Sequence, residues 1–351
     1  MNVLLIGGGW IAETVYVPFL SEMSQIETIY IQDLDIDLVK TRFSAFDKVK
    51  AVSAEDRANL NCQHIFILTP SFAHAEELQN ALRDDAVILV EKPICTSLMQ
   101  AKMLEEVASK SNARVFVSAP FRHRCDMQEL KKVILSGELG DIYHVEMAWM
   151  KRRGTPGSAW FTQKKYSGGG VLADMGPHLL DLFYWLFGSR KAKNYLAATS
   201  SLFLESGDAY ANWHAKKEHS TAPDVEDNCF ALLTYDDLSL ALNIAWASDI
   251  ENDYALIRVF GSKGVLEVVT SIGFSTNTLY KETTFSLSHA AKPQVKTMEI
   301  EDRKEPFRKL LHQLIEGQIV NLPRAEEALV VARDIFRLYD SSQAVKGGGH
   351  A

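Results

Sequence analysis

The chain is poor in cysteine and has no long hydrophobic run. Its four cysteines lie far apart among 351 residues and form no Cys-x-x-Cys pair; they are Cys62, Cys95, Cys125 and Cys229. This spacing argues against a disulfide framework and favours a reducing compartment. No apolar stretch approaches the roughly 20 residues that cross a bilayer, and the first residues carry no basic leader or cleavage site. We therefore expect a cytoplasmic protein with no signal peptide and no membrane partner.

Positive charge is also in short supply. The chain has 37 Lys and Arg against 45 Asp and Glu, a net charge of −8, which argues against nucleic acid as a partner. No His-Glu-x-x-His motif or Cys/His cluster is present, so we expect no metal. A composition of 47% hydrophobic and 23% charged residues is that of an ordinary globular protein. Because the length exceeds most single cores, two domains are expected.

The first 120 residues alternate short apolar runs with helical patterns. A stretch with apolar residues at helical spacing follows most runs of strand type, which are NVLLIG, ETIYIQD, HIFILTP, AVILVEKP and ARVFVSAP. The first helix, IAETVYVPFLSEM, is expected to break or kink near Pro18. This alternation predicts a doubly wound parallel sheet with helices on both faces, hence an α/β domain over residues 1–120.

After Pro120 the pattern changes to longer extended stretches. Alternating, β-branched and aromatic residues dominate segments such as IYHVEMAWM, NCFALLTYDD and LSLALNIAWAS. They predict a second, α+β domain over residues 121–351 with a large, mostly antiparallel sheet, closed by two helices at the end of the chain. LSLALNIAWAS is apolar on both faces, so one face of this sheet needs a partner. We therefore expect a homodimer or a homotetramer.

A glycine motif lies directly after the first predicted strand. Gly7, Gly9 and Ala12 have the Gly-x-Gly-x-x-Ala spacing of Rossmann dinucleotide-binding sites. Gly7 permits a tight turn, Gly9 lets the backbone approach a pyrophosphate, and Ala12 permits close packing of helix on strand. Asp33 ends the second strand, where a carboxylate accepts hydrogen bonds from the ribose hydroxyls and repels a 2′-phosphate. Since its neighbours are not basic, the motif predicts NAD rather than NADP.

A buried strand ends in charged residues at AVILVEKP. Successive side chains on a strand point to opposite faces, so an ion pair between Glu91 and Lys92 would be poor. Pro93 cannot continue the ladder of hydrogen bonds. In a parallel sheet, ligands bind at the carboxyl ends of the strands. This indicates that Lys92 is directed at a ligand beyond the edge of the sheet.

A second polar cluster occurs in YSGGGVLADMGPHLLDLFYWLFG. Gly168, Gly169 and Gly170 predict a flexible segment before an apolar helix that begins near Asp174, since Pro177 is tolerated only in a first turn. His178 follows Asp174 by four residues, so both lie on one face of the helix. A carboxylate so close to an imidazole favours the imidazolium form and fixes its tautomer. Asp181 either joins this pair or caps a buried polar contact.

Together these motifs resemble the Gfo/Idh/MocA family of oxidoreductases. Glu91-Lys92-Pro93 and GGGVLADMGPHLLD carry the resemblance, and further matches are ILTPSFAH, FRHR with LKKVILSGELGDI, VEDNCFALLTY and RVFGSKGVLEV. The resemblance implies that Lys92 and His178 act on a substrate alcohol and that Asp174 positions them. It also implies a cis peptide bond at Lys92-Pro93 and an open-faced sheet used for oligomerisation.

The expected activity is NAD-dependent oxidation of a secondary alcohol, or the reverse reduction. The substrate is expected to be a sugar, sugar derivative, nucleotide sugar or cyclitol. Two alternatives stay open: an NAD-dependent glycosidase that oxidises its substrate transiently, and a non-catalytic dinucleotide sensor. The base is either His178, whose ordinary pKa of about 6.5 suits the task, or Lys92 with a pKa lowered by its surroundings.

The remaining site residues complete two expected pockets. Cofactor contacts are assigned to Gly7, Gly9, Trp10, Ile11, Asp33, Thr69, Pro70, His74, Glu91 and Lys92. Substrate contacts are assigned to Lys92, Arg122, Arg153, Trp160, Asp174 and His178. His74 either lies near the nicotinamide or caps a helix, and Trp160 either walls the pocket or packs in the core. The basic loop 151–165 either attracts an anionic substrate or is a solvated loop.

Overall fold

The chain forms two compact units. The computed structural model describes residues 1–57, 59–83, 85–108, 112–204, 209–211, 222–275, 277–278, 280–289 and 292–347. The first unit comprises Met1–His123 and Lys304–Ala332, and the second comprises Arg124–Arg303 with the described residues from Arg333 onward. Among the described residues, no helix is long and apolar enough to span a membrane.

A parallel sheet of six strands forms the centre of the first unit. Its strands are β1 (Asn2–Ile6), β2 (Thr28–Gln32), β3 (Val49–Val52), β4 (His64–Ile67), β5 (Val87–Val90) and β6 (Arg114–Val117), in the order β3-β2-β1-β4-β5-β6. The predicted α/β fold is confirmed, and all four residues of β5 are buried, as expected for a strand covered on both faces. The prediction missed β3, because this short edge strand is largely half-buried and has little apolar signal.

Helices connect these strands. They are a π-helical turn (Ala12–Tyr16), α1 (Val17–Glu22), α2 (Ile36–Arg42), α3 (Ala54–Arg57), α4 (His74–Ala81) and α5 (Leu98–Ala108). The expected irregularity near Pro18 is confirmed, because the π-helical turn ends directly before α1 and the proline lies in the first turn of α1. A missing N–H is tolerated there, where helical N–H groups lack partners within the helix.

The order of the strands reverses at β1. The chain leaves β1 toward β2 and later returns to pair β4 on the other side of β1. Such a reversal opens a crevice at the carboxyl ends of the two central strands. The glycine motif follows β1, Asp33 follows β2, Thr69 follows β4 and Glu91 follows β5, so parallel pairing places all of them along one edge.

An eight-stranded sheet dominates the second unit. The helices are α6 (Cys125–Leu135), α7 (Lys164–Ser167) and α8 (Val171–Phe187); the strands are β7 (Ile142–Met150), β8 (Asn194–Ser200), β9 (Asn228–Thr234), β10 (Ser239–Ala245), β11 (Tyr254–Gly261), β12 (Val265–Thr270), β13 (Glu282–His289) and β14 (Lys292–Glu299). The order is β14-β13-β12-β11-β7-β10-β9-β8, and only the pair β7–β10 is parallel among these strands. The predicted, mostly antiparallel sheet is confirmed.

The residues of this sheet alternate between a buried and an open face. On β10, Leu240, Leu242 and Ile244 are buried, and α8 packs against β9 and β10. The alternate residues of the neighbouring strands are exposed: Leu196 on β8 lies beside Leu232 on β9, and Phe230 is also exposed. The sheet is therefore apolar on both faces, as the sequence indicates. Within the described chain, α8 packs on one face, and apolar residues of the other face are exposed.

The chain returns to the first unit near its end through α9 (Glu305–Ile315) and the first part of α10 (Ala325–Gly347). The Val117 N–H at the end of β6 donates to the Pro323 carbonyl oxygen at 3.0 Å, and α9 packs against a short helix at Pro120–His123. The sequence predicts a single boundary at residue 120, because the pattern of residues 304–332 does not show that they pack on the first unit.

Candidate active site

The glycines of the first loop differ in what surrounds them. Gly7 has φ of 103°, and a Cβ there would lie 2.8 Å from the carbonyl carbon of Leu68. The chain itself therefore requires glycine at this position. A Cβ on Gly9 would meet no heavy atom within 4 Å, so the protein leaves this side of the loop open. Ala12 is fully buried, as close packing of helix on strand requires.

Asp33 is fastened to the glycine loop. Its Oδ2 accepts the Gly8 N–H at 2.7 Å and its Oδ1 accepts the Asp35 N–H at 3.1 Å. Leu34 beside it is fully exposed. The Arg42 guanidinium on α2 donates to the Gly8 carbonyl oxygen at 2.6 Å and lies 3.3 Å from Glu13. Arg42 is not among the expected site residues, because it lies nine residues after Asp33 and only the fold brings it to the glycine loop.

His74 is buried and links two strand ends. Its Nδ1 lies 2.7 Å from the Pro93 carbonyl oxygen, and its Nε2 lies 2.7 Å from the Thr69 carbonyl oxygen. Burial lowers the pKa of His74, while these two carbonyls and the charge of Glu91 act in the opposite direction. The ring contacts carbonyl oxygens rather than free N–H groups, so it does not cap α4. The hydroxyl oxygen of Thr69 is buried and has no hydrogen-bond partner among the described residues.

Glu91 is held from the helix that follows the glycine loop. The fully buried Tyr16 donates its hydroxyl to Glu91 Oε1 at 2.6 Å, and the Lys92 N–H donates to Glu91 Oε2 at 3.2 Å. Burial, followed by the charge of Glu91, raises the pKa of Tyr16, so its hydroxyl stays a donor. The Lys92-Pro93 bond is cis, as the resemblance implies. Tyr16 was missed, because its apolar helical position resembles that of any core aromatic.

Asp174 and His178 lie on a partly exposed stripe of α8. Asp181 and Trp185 continue this stripe, while most other residues of the helix are buried. The helix begins at Val171, three residues before the predicted start, with Pro177 in its interior. It therefore forgoes the bond that an N–H at residue 177 would make to the Ala173 carbonyl.

Two tryptophans brace the polar pair. The fully buried Trp246 donates its indole N–H to Asp174 Oδ2 at 2.8 Å, and the Trp149 ring lies edge-on to His178 with centroids 5.8 Å apart. The buried Lys151 places its ammonium 5.0 Å from the Trp149 ring centroid. Neither tryptophan is among the expected site residues, because only the pairing of β7 with β10 brings them beside α8. Lys151 belongs to the basic loop that the sequence indicates.

The expected substrate residues Arg153, Trp160 and Arg122 make contacts of three different kinds. Arg153 donates to the carbonyl oxygens of Arg152 at 2.6 Å and Ser248 at 3.0 Å, which fixes its guanidinium. Trp160 stacks on Phe161 with centroids 3.8 Å apart. Arg122 belongs to the first unit, where it is buried and pairs with Glu327 at 3.1 Å. In the part of the chain that the structure describes, no three His, Cys, Asp or Glu side chains are grouped to hold a metal.

The loop geometry predicts that alanine at Gly7 lowers stability, whereas alanine at Gly9 lowers the affinity for NAD. Gly7→Ala should lower the melting temperature without any ligand, because a positive φ and a backbone clash together cost about 1–3 kcal/mol or more. Gly9→Ala should leave the melting temperature unchanged and weaken NAD binding on the order of tenfold or more, because the added methyl occupies the open side of the loop. Calorimetry of unfolding and of NAD binding measures both. Wild-type affinity for NAD in Gly9→Ala would contradict the assignment of this loop.

Comparison with known proteins identifies the family. Residues 1–119 match the family described as "Oxidoreductase family, NAD-binding Rossmann fold", and residues 127–267 match the "GFO/IDH/MocA C-terminal domain". A putative UDP-kanosamine synthase oxidoreductase subunit of Amycolatopsis mediterranei is 30% identical over 281 residues, which cover 79% of this chain and 77% of the relative. The D-glucoside 3-dehydrogenase of Escherichia coli is 22% identical over 98% of this chain and 95% of its own length.

A comparison with solved structures supports the fold. A levoglucosan dehydrogenase structure, in complex with NADH and levoglucosan, is similar with a TM-score of 0.78 and 17% identity, covering 98% of this chain and 97% of the other. This similarity supports the two-sheet fold that the chain shows. The two family matches together span most of the sequence. The chain therefore belongs to the Gfo/Idh/MocA family of oxidoreductases and carries an NAD-binding Rossmann domain.

Proposed function

We propose that this protein is an NAD-dependent dehydrogenase that oxidises a secondary hydroxyl of a sugar ring, or reduces the corresponding ketone. The observation that carries the proposal is the Asp174–His178 pair on the partly exposed stripe of α8, braced by Trp246 and Trp149. The name of the D-glucoside 3-dehydrogenase relative favours the hydroxyl at position 3. Because one fold carries many different activities, a substrate panel is needed to identify the exact sugar.

The residues of the first unit fit a dinucleotide. The open side of Gly9 and the unsatisfied, buried Thr69 hydroxyl are both features that a bound ligand would complete. The N–H groups at the start of the helix after the loop would hold the pyrophosphate, and the Asp33 carboxylate would accept the ribose hydroxyls. Leu34 offers an exposed apolar surface beside Asp33 for the adenine ring. The nicotinamide supplies the carbon that accepts the hydride.

The chain's own residues handle the proton. His178 or Lys92 takes the hydroxyl proton, and the other polarises the reacting oxygen. The Asp174 carboxylate, held by the Trp246 indole N–H, fixes the imidazole tautomer and stabilises the imidazolium. The edge of Trp149 limits rotation of the His178 ring and offers an apolar surface of the kind on which sugar rings pack.

The substrate class includes charged sugars. Lys151 and Arg153 lie in the segment after β7, and Arg153 is fixed by two carbonyl oxygens rather than loose in solvent. A fixed cation suits a phosphate or nucleotide group, because little side-chain entropy is lost on binding. We therefore propose sugar phosphates and nucleotide sugars beside neutral glucosides and cyclitols as candidate substrates.

A substrate panel tests this function. Methyl glucoside, glucose 6-phosphate, UDP-glucose and myo-inositol are each incubated with the protein and NAD, and the absorbance of NADH is followed. At about 100 times its dissociation constant, a ligand should also add roughly 2.7 kcal/mol of stability in a thermal-shift assay. NADH formation with one of them supports the proposal, and product analysis gives the oxidised position. Sugar release from the glucoside without net NADH would favour the glycosidase alternative instead.

Lys92 and His178 should both be needed for turnover. Lys92→Ala and His178→Ala should each lower kcat by about 10²–10⁴ while NAD affinity stays nearly intact, because the phosphate and ribose contacts lie elsewhere. The double variant should lose less than the product of the single losses, since both residues act on the same hydroxyl group. The exposed Lys40, replaced by alanine, serves as the control. If Lys92→Ala keeps more than half of the wild-type kcat, its catalytic role is wrong.

Asp33 should set the preference for NAD over NADP. Asp33→Ser combined with Leu34→Arg should shift the ratio of the two dissociation constants toward NADP by about tenfold or more, because a repelling charge is replaced by an attracting one. Asp35→Ala is the matched control: it removes a carboxylate that accepts the Leu38 N–H at the start of α2. A wild-type protein that binds NADP(H) more tightly than NAD(H) would contradict the assignment.

We further propose that the open sheet face binds a second copy of the chain. Leu196, Phe230 and Leu232 are exposed there, and Asn243, which lies opposite Phe230, has a buried side-chain oxygen without a partner among the described residues. At the side of this apolar patch, Arg258 pairs with Glu146 and Glu267. An apolar patch flanked by charges of both signs suits the self-complementary contact that a two-fold axis requires.

Oligomeric state checks this surface. The wild-type protein should be a dimer or tetramer by light scattering at micromolar concentration, and Phe230→Glu should shift it toward monomer, because a charge is costly in a desolvated apolar interface. Met99→Glu alters an exposed apolar residue of α5 and should leave the mass unchanged. A monomeric wild-type protein would refute the proposal.

A further inference from the structure

The start of α8 is held entirely from outside the helix. The first N–H groups of a helix have no partners within it, and the N-cap Gly170 has no side chain to supply one. The Glu226 carboxylate accepts the N–H groups of Gly170 at 3.1 Å and Leu172 at 3.0 Å, and the Glu226 main-chain oxygen accepts that of Val171 at 3.0 Å. The Tyr339 hydroxyl accepts the Ala173 N–H at 3.0 Å.

Glu226 and Tyr339 are also bonded to each other. The Tyr339 hydroxyl donates to Glu226 Oε1 at 2.6 Å. Burial, followed by the charge of Glu226, raises the pKa of Tyr339, so the phenol keeps the proton that it donates. Two residues from distant parts of the chain thus form one network that satisfies every N–H group from Gly170 to Ala173. A fully satisfied buried network favours a single arrangement of the elements that it joins.

Gly169 and Gly170 leave the space that this network occupies. A Cβ on Gly169 would overlap the Tyr339 hydroxyl, and a Cβ on Gly170 would overlap the Glu226 main-chain oxygen. Gly168 ends α7 with φ of 80°. The expectation of a flexible segment at residues 168–170 is therefore wrong: close approach of other parts of the chain excludes side chains at two of these positions.

The held segment leads directly into the polar pair. The Asp174 N–H makes a helical bond to the Gly170 carbonyl oxygen at 3.0 Å, and His178 follows one turn later. Any shift of the helix start therefore moves both side chains. The Asp174 carboxylate lies in the first turn of α8, at the positive end of the helix dipole, where negative charge is favourable.

We propose that Glu226, with Tyr339 as its partner, is a positioning residue that sets Asp174 and His178 for the reaction. The inference rests on the function proposed above for that pair. Glu226 touches neither member of the pair through its described bonds and acts through the backbone of α8. A misplacement of about 1 Å at a reacting group is enough to cost roughly a hundredfold in rate.

Kinetics of three variants test the proposal, with NAD and the panel sugar that is oxidised fastest. Glu226→Ala should lower kcat by about 10–100-fold. Glu226→Gln keeps one acceptor oxygen and should retain a higher kcat than Glu226→Ala. Tyr339→Phe should lower kcat by about tenfold. The dissociation constant of NAD should stay unchanged in all three, because the cofactor contacts belong to the first unit.

Asp126→Asn is the matched control for a loss of stability alone. Asp126 is a buried carboxylate of the same unit that binds Arg124, Thr270 and Thr283 and makes no described bond to α8. It should lower the melting temperature while leaving kcat near the wild-type value. Equal losses of kcat in Asp126→Asn and Glu226→Gln at equal melting temperature would overturn the positioning role.

A measurement without substrate separates this inference from the proposed function. Hydrogen exchange at the amides of Leu172 and Ala173 should speed up in Glu226→Gln and Tyr339→Phe, and the ring signals of His178 in NMR spectra should move in both. Asp126→Asn should change neither. These readouts stand even if no sugar of the panel is oxidised, and unchanged exchange with unchanged His178 signals would refute the inference.

Discussion

Parallel strand pairing positions the chemistry in both units of this protein. In the first unit it brings the ends of β1, β2, β4 and β5 to one edge, where the glycine loop, Asp33, Thr69 and Glu91 meet. In the second unit the parallel pair β7–β10 places Trp149 opposite Ile244, so that Trp149 and Trp246 come from the same end of the two strands. One tryptophan then contacts His178 and the other Asp174. Antiparallel neighbours would have sent these two side chains to opposite ends of the sheet.

Tyrosine hydroxyls hold three carboxylates of the chain. Tyr16 binds Glu91, Tyr339 binds Glu226, and Tyr184 and Tyr195 bind Asp334. In each case burial raises the pKa of the tyrosine, so the phenol remains a donor, and its hydrogen bond helps to offset the cost of burying the charge. Two of these pairs lie next to the expected catalytic residues, where a fixed position matters more than net stability.

The glycines show that one residue type serves unlike purposes. Gly7 is needed because its backbone turns with positive φ against Leu68, whereas Gly9 faces open space that a ligand would fill. Gly169 and Gly170 are needed because other parts of the chain approach too closely for a Cβ. In sequence these positions look alike, as runs of glycine before a helix. The difference lies in what approaches each glycine from outside its own segment.

The sequence by itself determined the elements and the local motifs. Alternation of strands and helices predicted the parallel sheet, the glycine spacing predicted the nucleotide loop, and the i, i+4 spacing placed Asp174 and His178 on one helix face. These features depend on residues close together in the chain, whose periodicity and backbone preferences are local. Only the tertiary structure decided the roles of Trp246, Tyr16 and Glu226. It also decided that residues 304–332 return to the first unit. Their contacts join residues far apart in sequence, and strand order and packing, which no local pattern encodes, bring them together.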